Sequence, residues 1–324
     1  MKIVVLDGYT LNPGDLSWEE IGKLGELTVY DRTAPKEIVE RTRKAEIILT
    51  NKAPVSAITL EKSPDLKFIT VMATGYDIVD IAAAGRRGIP VSNVPVYGTD
   101  SVAQFVFALL LELCHHVGAH QEAVKADEWT ASPDWCFWKT PQIFLKGKKM
   151  GIVGFGRIGR RVGELAHAFG MEVMAFDPQP QESPTYAPFS WKSLREVFTE
   201  ADVVTLHSPQ TRDNAGFVND ELLDLMKMEA FFINAARGGL VDEKALSEAL
   251  NNGSIAAAAV DVVSIEPIRP DNPLLNTQNC LISPHIAWAS LGARQTLMSE
   301  TIKNIKEYIS GNSINVVNKK FLKG

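Results

Sequence analysis

Short apolar runs recur along the chain at intervals that suit strands, and segments with a helical period fill the spaces between them. Residues 3–6, 27–30, 47–50 and 68–71 are such runs. A short apolar run without alternation fits a strand buried on both faces, as the strands of a parallel sheet are. The rhythm restarts after Lys146-Gly147-Lys148, with runs at 149–153, 173–176, 203–206, 231–234, 257–260 and 281–283. Between the two series, about 100–125 predicts one long buried helix, because its 102–111 portion is apolar nearly all round. A loop rich in Trp and Pro follows at 127–141, and 291–310 reads as helical. Strands alternating with helices in two series predict an α/β protein of two doubly wound parallel-sheet units, with ligands expected in a cleft between them.

A length of 324 residues suits two domains rather than one. The formal net charge of -6 offers no attraction to polyphosphate, which argues against nucleic acid as a partner. Cys114, Cys136 and Cys280 are far apart and form no CxxC pair; an odd count without ligand spacing reads as reduced thiols in a cytoplasmic protein. The N-terminal run Ile3-Val4-Val5-Leu6 stops at Asp7 and reads as a buried strand rather than a signal peptide. The stretch 102–111 is interrupted by Gln104 and followed by Glu112, well short of the roughly 20 residues that cross a bilayer, so no membrane segment is expected.

The strongest local motif is Gly154-Phe155-Gly156-Arg157-Ile158-Gly159. GxGxxG alone says little, but here it follows an apolar strand and opens a helical pattern, and Asp177 ends the next strand. That full context is the dinucleotide fingerprint. Gly154 allows the tight turn, Gly156 removes a side chain that would block a pyrophosphate, and Gly159 lets helix and strand pack closely. The first helical residues, Arg157, Ile158 and Gly159, offer N–H groups and a partial positive charge to phosphates. Asp177 suits the two hydroxyls of a ribose and would repel a 2′-phosphate. No Arg or Lys occurs in 178–182 to receive one, so the cofactor expected is NAD.

Three later segments put polar residues just after apolar strands: Asn234-Ala235-Ala236-Arg237-Gly238-Gly239, Asp261-Val262-Val263-Ser264-Ile265-Glu266-Pro267, and Ser283-Pro284-His285-Ile286-Ala287-Trp288. The C-terminal ends of strands are where an α/β sheet builds its site. Reducing a 2-keto acid needs a cation for the carboxylate and carbonyl oxygen, and Arg237 is a planar, permanently charged fork. It needs a proton donor near neutral pH, which suits His285. It also needs a group that orients that imidazole and favours its charged form, a role open to Glu266. Singly, each residue has a plain structural reading: Arg237 satisfying loop carbonyls, Glu266 in a solvated turn, His285 as a buried hydrogen-bonded histidine. As an ordered set behind a dinucleotide loop they read as a site.

Taken together these segments resemble the D-isomer-specific 2-hydroxyacid dehydrogenase family, in order and spacing and over essentially the whole chain. The resemblance implies that Arg237, Glu266 and His285 are the catalytic arginine, glutamate and general acid/base histidine. It implies nicotinamide-side contacts from Ala235, Ala236, Arg237, Asp261 and His285. It also implies that backbone N–H groups at Thr74 and Gly75 meet the substrate carboxylate. It divides the chain into an NAD-binding Rossmann domain at 100–290 and a flavodoxin-like substrate-binding domain made of 1–99 and 291–324. Formate dehydrogenases of the same superfamily carry glutamine in the partner position, so Glu266 favours acid/base chemistry.

Several stretches are more similar to glycerate dehydrogenases, also called hydroxypyruvate reductases. They include Asp7-Gly8-Tyr9-Thr10-Leu11-Asn12-Pro13, Ser101-Val102-Ala103-Gln104-Phe105 and Asp134-Trp135-Cys136-Phe137-Trp138. The implied reaction joins D-glycerate and hydroxypyruvate, with glyoxylate as a further substrate. D-lactate or another small D-2-hydroxy acid is the alternative. A third reading is an NAD-sensing corepressor of the same fold, but those carry flexible extensions, and the chain ends at Gly324 without one. Trp135, Phe137 and Trp138 read either as a local cluster or, as in the family, as part of a homodimer interface. His116 and His120 lie four apart on helix, a zinc spacing, but without an HExxH pattern or a third ligand no metal is expected.

Overall fold

The computed structural model describes residues 1–322, so Lys323 and Gly324 at the end of the expected substrate domain lie outside the described residues. The chain divides into two compact units at Gly98/Thr99 and Trp288/Ala289, against 99/100 and 290/291 as read from the sequence.

The first unit holds a five-stranded parallel sheet: β1 (Lys2–Val5), β2 (Glu26–Val29), β3 (Ile47–Thr50), β4 (Phe68–Val71) and β5 (Val91–Ser92), in the order β2-β1-β3-β4-β5. This is the flavodoxin-like order. β3 and β4 are buried at every position, as apolar runs without alternation require. Helices α1 (Glu19–Gly22), α2 (Ile38–Thr42), α3 (Ala57–Glu61) and α4 (Ile81–Arg86) connect the strands. Asp7 stops the first apolar run because its buried carboxylate has a task. It accepts the N–H groups of Asn51 and Ala53, each at 2.8 Å, from the turn after β3. The C-terminal helix Leu291–Ile309 completes this unit, stacking Tyr308 on Phe68 and setting Asn304 on Thr70 and Asn93.

The second unit opens with α5 (Thr99–His115) and α6 (Val117–Lys125). A seven-stranded parallel sheet follows: β6 (Lys149–Val153), β7 (Glu172–Phe176), β8 (Phe189–Trp191), β9 (Val203–Leu206), β10 (Phe231–Asn234), β11 (Ala257–Val260) and β12 (Cys280–Ile282). The order β12-β11-β10-β9-β6-β7-β8 is the doubly wound Rossmann arrangement with one more strand, and it reverses direction between β6 and β9. The crossover helices are α7 (Arg157–Ala168), α8 (Leu194–Glu200), α9 (Asp220–Leu223) and α10 (Glu243–Asn251). Each face of the sheet has its own core. In β10, Phe231 and Ile233 pack toward α5, while Phe232 packs with Val197, Leu223 and Leu246 on the other face. A strand that feeds two cores has no polar face, which is why the sequence shows no alternation there.

The single long helix expected over 100–125 is two helices. His116 sits at φ +47°, in the left-handed region, and the axis bends there by 54°. α5 has one face buried from Val102 to Cys114, whereas in α6 only Ala123 is buried. The apolar signal of 102–111 belongs to α5 alone. β5 and β8, two and three residues long, carry too short an apolar run to be read as strands from the sequence. No single helix among the described residues is long and apolar enough to cross a membrane.

Candidate active site

The three glycines after β6 differ in what surrounds them. Gly154 has φ +92°, and a Cβ there would lie 2.6 Å from the Ser208 nitrogen in the turn after β9. Gly159 lies so close to the strand that its Cβ would stand 2.1 Å from the Gly154 carbonyl oxygen. Gly156 is the opposite case. Its backbone is ordinary, φ -75°, and a Cβ would meet no described atom within 4 Å. Gly156 is therefore not required by packing, and the space beside it is open. It also brings no capping side chain to α7, so the N–H groups of the first turn, including those of Arg157 and Ile158, have no side-chain cap. Open space before an uncapped helix N-terminus, at the point where the sheet reverses, fits the pyrophosphate of a dinucleotide.

Asp177, at the end of β7, reaches the same loop. One carboxylate oxygen accepts the Phe155 N–H at 3.0 Å and the other accepts the Gln179 N–H at 2.9 Å. The side chain is partly exposed and thereby fixed over the glycine turn. Two neighbours escaped the sequence reading. His207 and Ser208 follow β9, directly against Gly154; His207 Nδ1 and Ser208 Oγ are buried without a partner among the described residues. Thr205 Oγ1 lies 3.0 Å from His207 Nε2. Burial pushes the His207 imidazole down to about 3, so it is neutral at ordinary pH. The available signal was two polar residues just after an apolar strand, the same signal that marks the other segments.

Arg237 is exposed, and its guanidinium donates to the Ala236 carbonyl at 2.7 Å. Its loop is held from beneath by Asn234, 1% exposed. Asn234 donates to the Arg237 carbonyl at 3.0 Å and accepts the Ala236 N–H at 3.0 Å. Asn234 was not among the expected site residues. Gly238 explains why the loop needs glycine: a Cβ there would fall 1.9 Å from the Val263 carbonyl carbon. The Arg237 segment and the Glu266 segment thus touch backbone to backbone.

His285 Nδ1 and Glu266 Oε2 are 2.7 Å apart, with a quarter to a third of each side chain exposed. The backbone of His285 lies at φ +55°, a region that costs a residue with a Cβ about 1–3 kcal/mol and persists only where neighbours impose it. Asp261 imposes it. Its carbonyl accepts the His285 N–H at 2.7 Å. Its carboxylate, 1% exposed, accepts Ser283 Oγ–H at 2.6 Å, Ile286 N–H at 2.9 Å and Ala287 N–H at 2.8 Å. Trp288 Nε1 donates to the His285 carbonyl at 3.0 Å. Since Nδ1 is taken by Glu266, Nε2 is the nitrogen left for proton transfer. Asp261, expected as a nicotinamide contact, has both oxygens engaged in shaping the histidine loop.

Thr74 and Gly75 belong to the first unit, where the Thr74 hydroxyl donates to the Val94 carbonyl at 2.8 Å. Its side chain is committed, so a contact to a ligand falls to the backbone. Of the aromatic loop, Trp135 and Trp138 are 87% and 67% exposed, and they form no cluster with each other. His120 is no metal ligand in this geometry: Nδ1 faces the His116 carbonyl at 2.8 Å and Nε2 accepts the Lys139 N–H at 3.0 Å.

The profile of a family described as D-isomer specific 2-hydroxyacid dehydrogenase, NAD binding domain, matches residues 107–287. A hydroxypyruvate reductase of Blautia hydrogenotrophica is 48% identical over 98% of this chain and 100% of its own length. A glycerate dehydrogenase of Methylorubrum extorquens is 39% identical over 98% of each chain. Among solved structures, a D-lactate dehydrogenase of Aquifex aeolicus, complexed with NAD and lactic acid, superposes with a TM-score of 0.83 at 28% identity. The match covers 99% of this chain and 98% of that one.

Proposed function

The chain belongs to the D-isomer-specific 2-hydroxyacid dehydrogenase family, and on that premise we propose that it reduces hydroxypyruvate, and more slowly glyoxylate, with NADH. The observation that carries this is the Glu266 carboxylate on His285 Nδ1, on a loop held by Asp261 and in the same unit as Arg237 and the dinucleotide turn. Gly154, Gly156, Gly159 and the first turn of α7 hold the pyrophosphate, Asp177 the ribose, and Ala235 and Ala236 the nicotinamide side. Bound NADH supplies the hydride for C2 of the keto acid.

The protein's own part is charge and protons. Arg237 takes the substrate carboxylate and polarises the carbonyl oxygen. His285 gives the Nε2 proton to the oxygen as it becomes an alkoxide, while Glu266 holds Nδ1–H and balances the imidazolium. In the oxidative direction neutral His285 takes the hydroxyl proton. Names of relatives support the substrate: hydroxypyruvate reductase and glycerate dehydrogenase. We further assign the protein to the cytoplasm, with support from three unpaired thiols.

A panel of small 2-keto acids, assayed with NADH and with NADPH, tests the reading. Hydroxypyruvate should give the highest kcat/KM, then glyoxylate, with pyruvate poor, because a pocket built for the substrate hydroxyl rejects the analogue lacking it. NADH should be strongly preferred, and Asp177→Ala should relax that preference. Pyruvate outrunning hydroxypyruvate would move the protein to the D-lactate enzymes. Equal use of both cofactors would remove Asp177 from its role.

A further inference from the structure

The loop carrying Glu266 has little beneath it. Ser264, Ile265, Glu266 and Pro267 are all exposed, Ile265 by 51%. A loop without apolar anchors opens easily, and a carboxylate on it would meet its histidine only part of the time. Glu266 Oε1 accepts the Val263 N–H at 3.4 Å, and one side chain outside the site fastens the loop itself. Glu243, the first residue of α10, accepts the Ser264 N–H on Oε1 at 2.6 Å. Its Oε2 accepts the Ser264 hydroxyl at 2.8 Å and the Asn272 side-chain amide at 2.9 Å.

Ser264 begins this loop and Asn272 ends it, so a single carboxylate fastens both ends. Asn272 is itself well founded. It is 8% exposed, and its oxygen accepts the Leu274 N–H at 3.0 Å, capping the turn Pro273–Asn276 whose Leu274 is 2% exposed. Glu243 also stands where the two catalytic loops meet, since the chain runs from Arg237 through Gly238, which lies against Val263 and Ser264, straight into α10. A glutamate placed only to favour the positive end of α10 would need none of these three bonds. Asp242 already caps that helix by accepting the N–H groups of Lys244 and Ala245.

We propose that Glu243 is a positioning residue for the acid/base pair: it fixes the 264–272 loop so that Glu266 stays on His285, without touching substrate or cofactor. This rests on the reading of Glu266 and His285 as the proton-transferring pair. Loss of the anchor disturbs proton transfer in the same way as loss of the Glu266 charge, and leaves the dinucleotide turn alone.

The test is a set of pH–rate profiles for hydroxypyruvate reduction by wild type, Glu243→Ala, Glu266→Gln and the double variant, with NADH affinity measured alongside. Glu243→Ala should lower kcat about tenfold to a hundredfold, as small misplacements of catalytic groups do, and leave the NADH Kd within about twofold. Its alkaline limb of kcat/KM should move to lower pH, toward that of Glu266→Gln. In the double variant the limb should move no further than in Glu266→Gln alone. The pair Glu243→Gln with Asn272→Asp reverses the bond between 243 and 272, turns the Ser264 hydroxyl from donor to acceptor and keeps the net charge; it should restore the limb, and it serves where Glu243→Ala folds poorly. A Glu243→Ala limb that stays in place while Glu266→Gln shifts overturns the proposal, even if thermal stability falls. Additive shifts in the double variant overturn it too. If Glu266→Gln itself leaves the limb unmoved, the acid/base pair fails first, and this inference falls with it.

Discussion

Glu266 and His285 meet on two partly exposed loops, and their value lies in passing a proton rather than in stability, since exposed pairs contribute little to folding. Reduction requires protonated His285 and fails as pH rises past the point where that proton is lost. Removing the Glu266 carboxylate from His285 Nδ1 should move the alkaline limb of reduction, and the acidic limb of oxidation, to lower pH. Profiles measured in both directions check this, and limbs that stay fixed or rise would separate the two residues. His207 makes the contrary case. Its imidazole, half-buried with Nδ1 shut from solvent and pushed down to about 3, stays neutral in the folded protein, while the unfolded chain takes up a proton below about 6.5. Protons bound only by the unfolded state favour unfolding, so stability falls as pH drops from about 6.5 toward about 3, by at most about 1.4 kcal/mol per pH unit. Chemical denaturation across that window should show the slope in wild type and lose one proton's worth of it in His207→Asn. An unchanged slope would mean that His207 is not shielded as its geometry indicates.

At the scale of elements, the turn between β6 and α7 separates what folding requires from what a ligand requires. Gly159→Ala forces a Cβ into the Gly154 carbonyl and should lower stability by roughly 1–3 kcal/mol as overpacking does. Gly156→Ala adds a methyl to open space at an ordinary φ and should leave the apo protein's melting temperature within a degree or so, while NADH affinity drops sharply. Thermal melts with and without NADH distinguish the two, and a Gly156→Ala variant that binds normally would move the pyrophosphate elsewhere. This turn was legible in the sequence because its logic is local: glycine spacing, a strand before and a helix after. So were the strands that feed two cores, whose apolar runs are unmistakable. β5 and β8 were hidden by brevity, and the break at His116 by an apolar pattern that outlasts the burial. Glu243, Asn234 and the loop-shaping use of Asp261 were hidden for another reason. Their partners are distant in sequence or are backbone groups, and neither leaves a trace in residue spacing.

At the scale of the whole molecule, the exposed apolar side chains concentrate on α6 and the loop after it: Val117, Val124, Trp129, Trp135, Trp138 and Phe144. A group of large apolar side chains this exposed marks an interaction surface, and we propose that a second copy of the chain covers it, with Trp138 at or near the partner's pocket. Light scattering should give twice the 35.6 kDa chain mass at assay concentration; Trp135→Ser with Trp138→Ser should shift the population toward monomer. An active wild-type monomer would refute the dimer. The other large-scale feature is that the first unit is finished by residues from Ala289 onward. Asn318 accepts the β5 Val91 N–H at 2.9 Å and donates to the Ile89 carbonyl at 2.9 Å, and Phe321 fills the space against Gly85. On the ribosome, residues 1–98 therefore wait for the segment from Ala289 onward. The nucleotide-binding half, contiguous in the chain, is complete while the half begun earlier still lacks its closing helix, so the order of maturation is the reverse of the order of synthesis. A released chain truncated after Trp288 should protect the NADH site from protease and leave β4 and β5 open to cleavage.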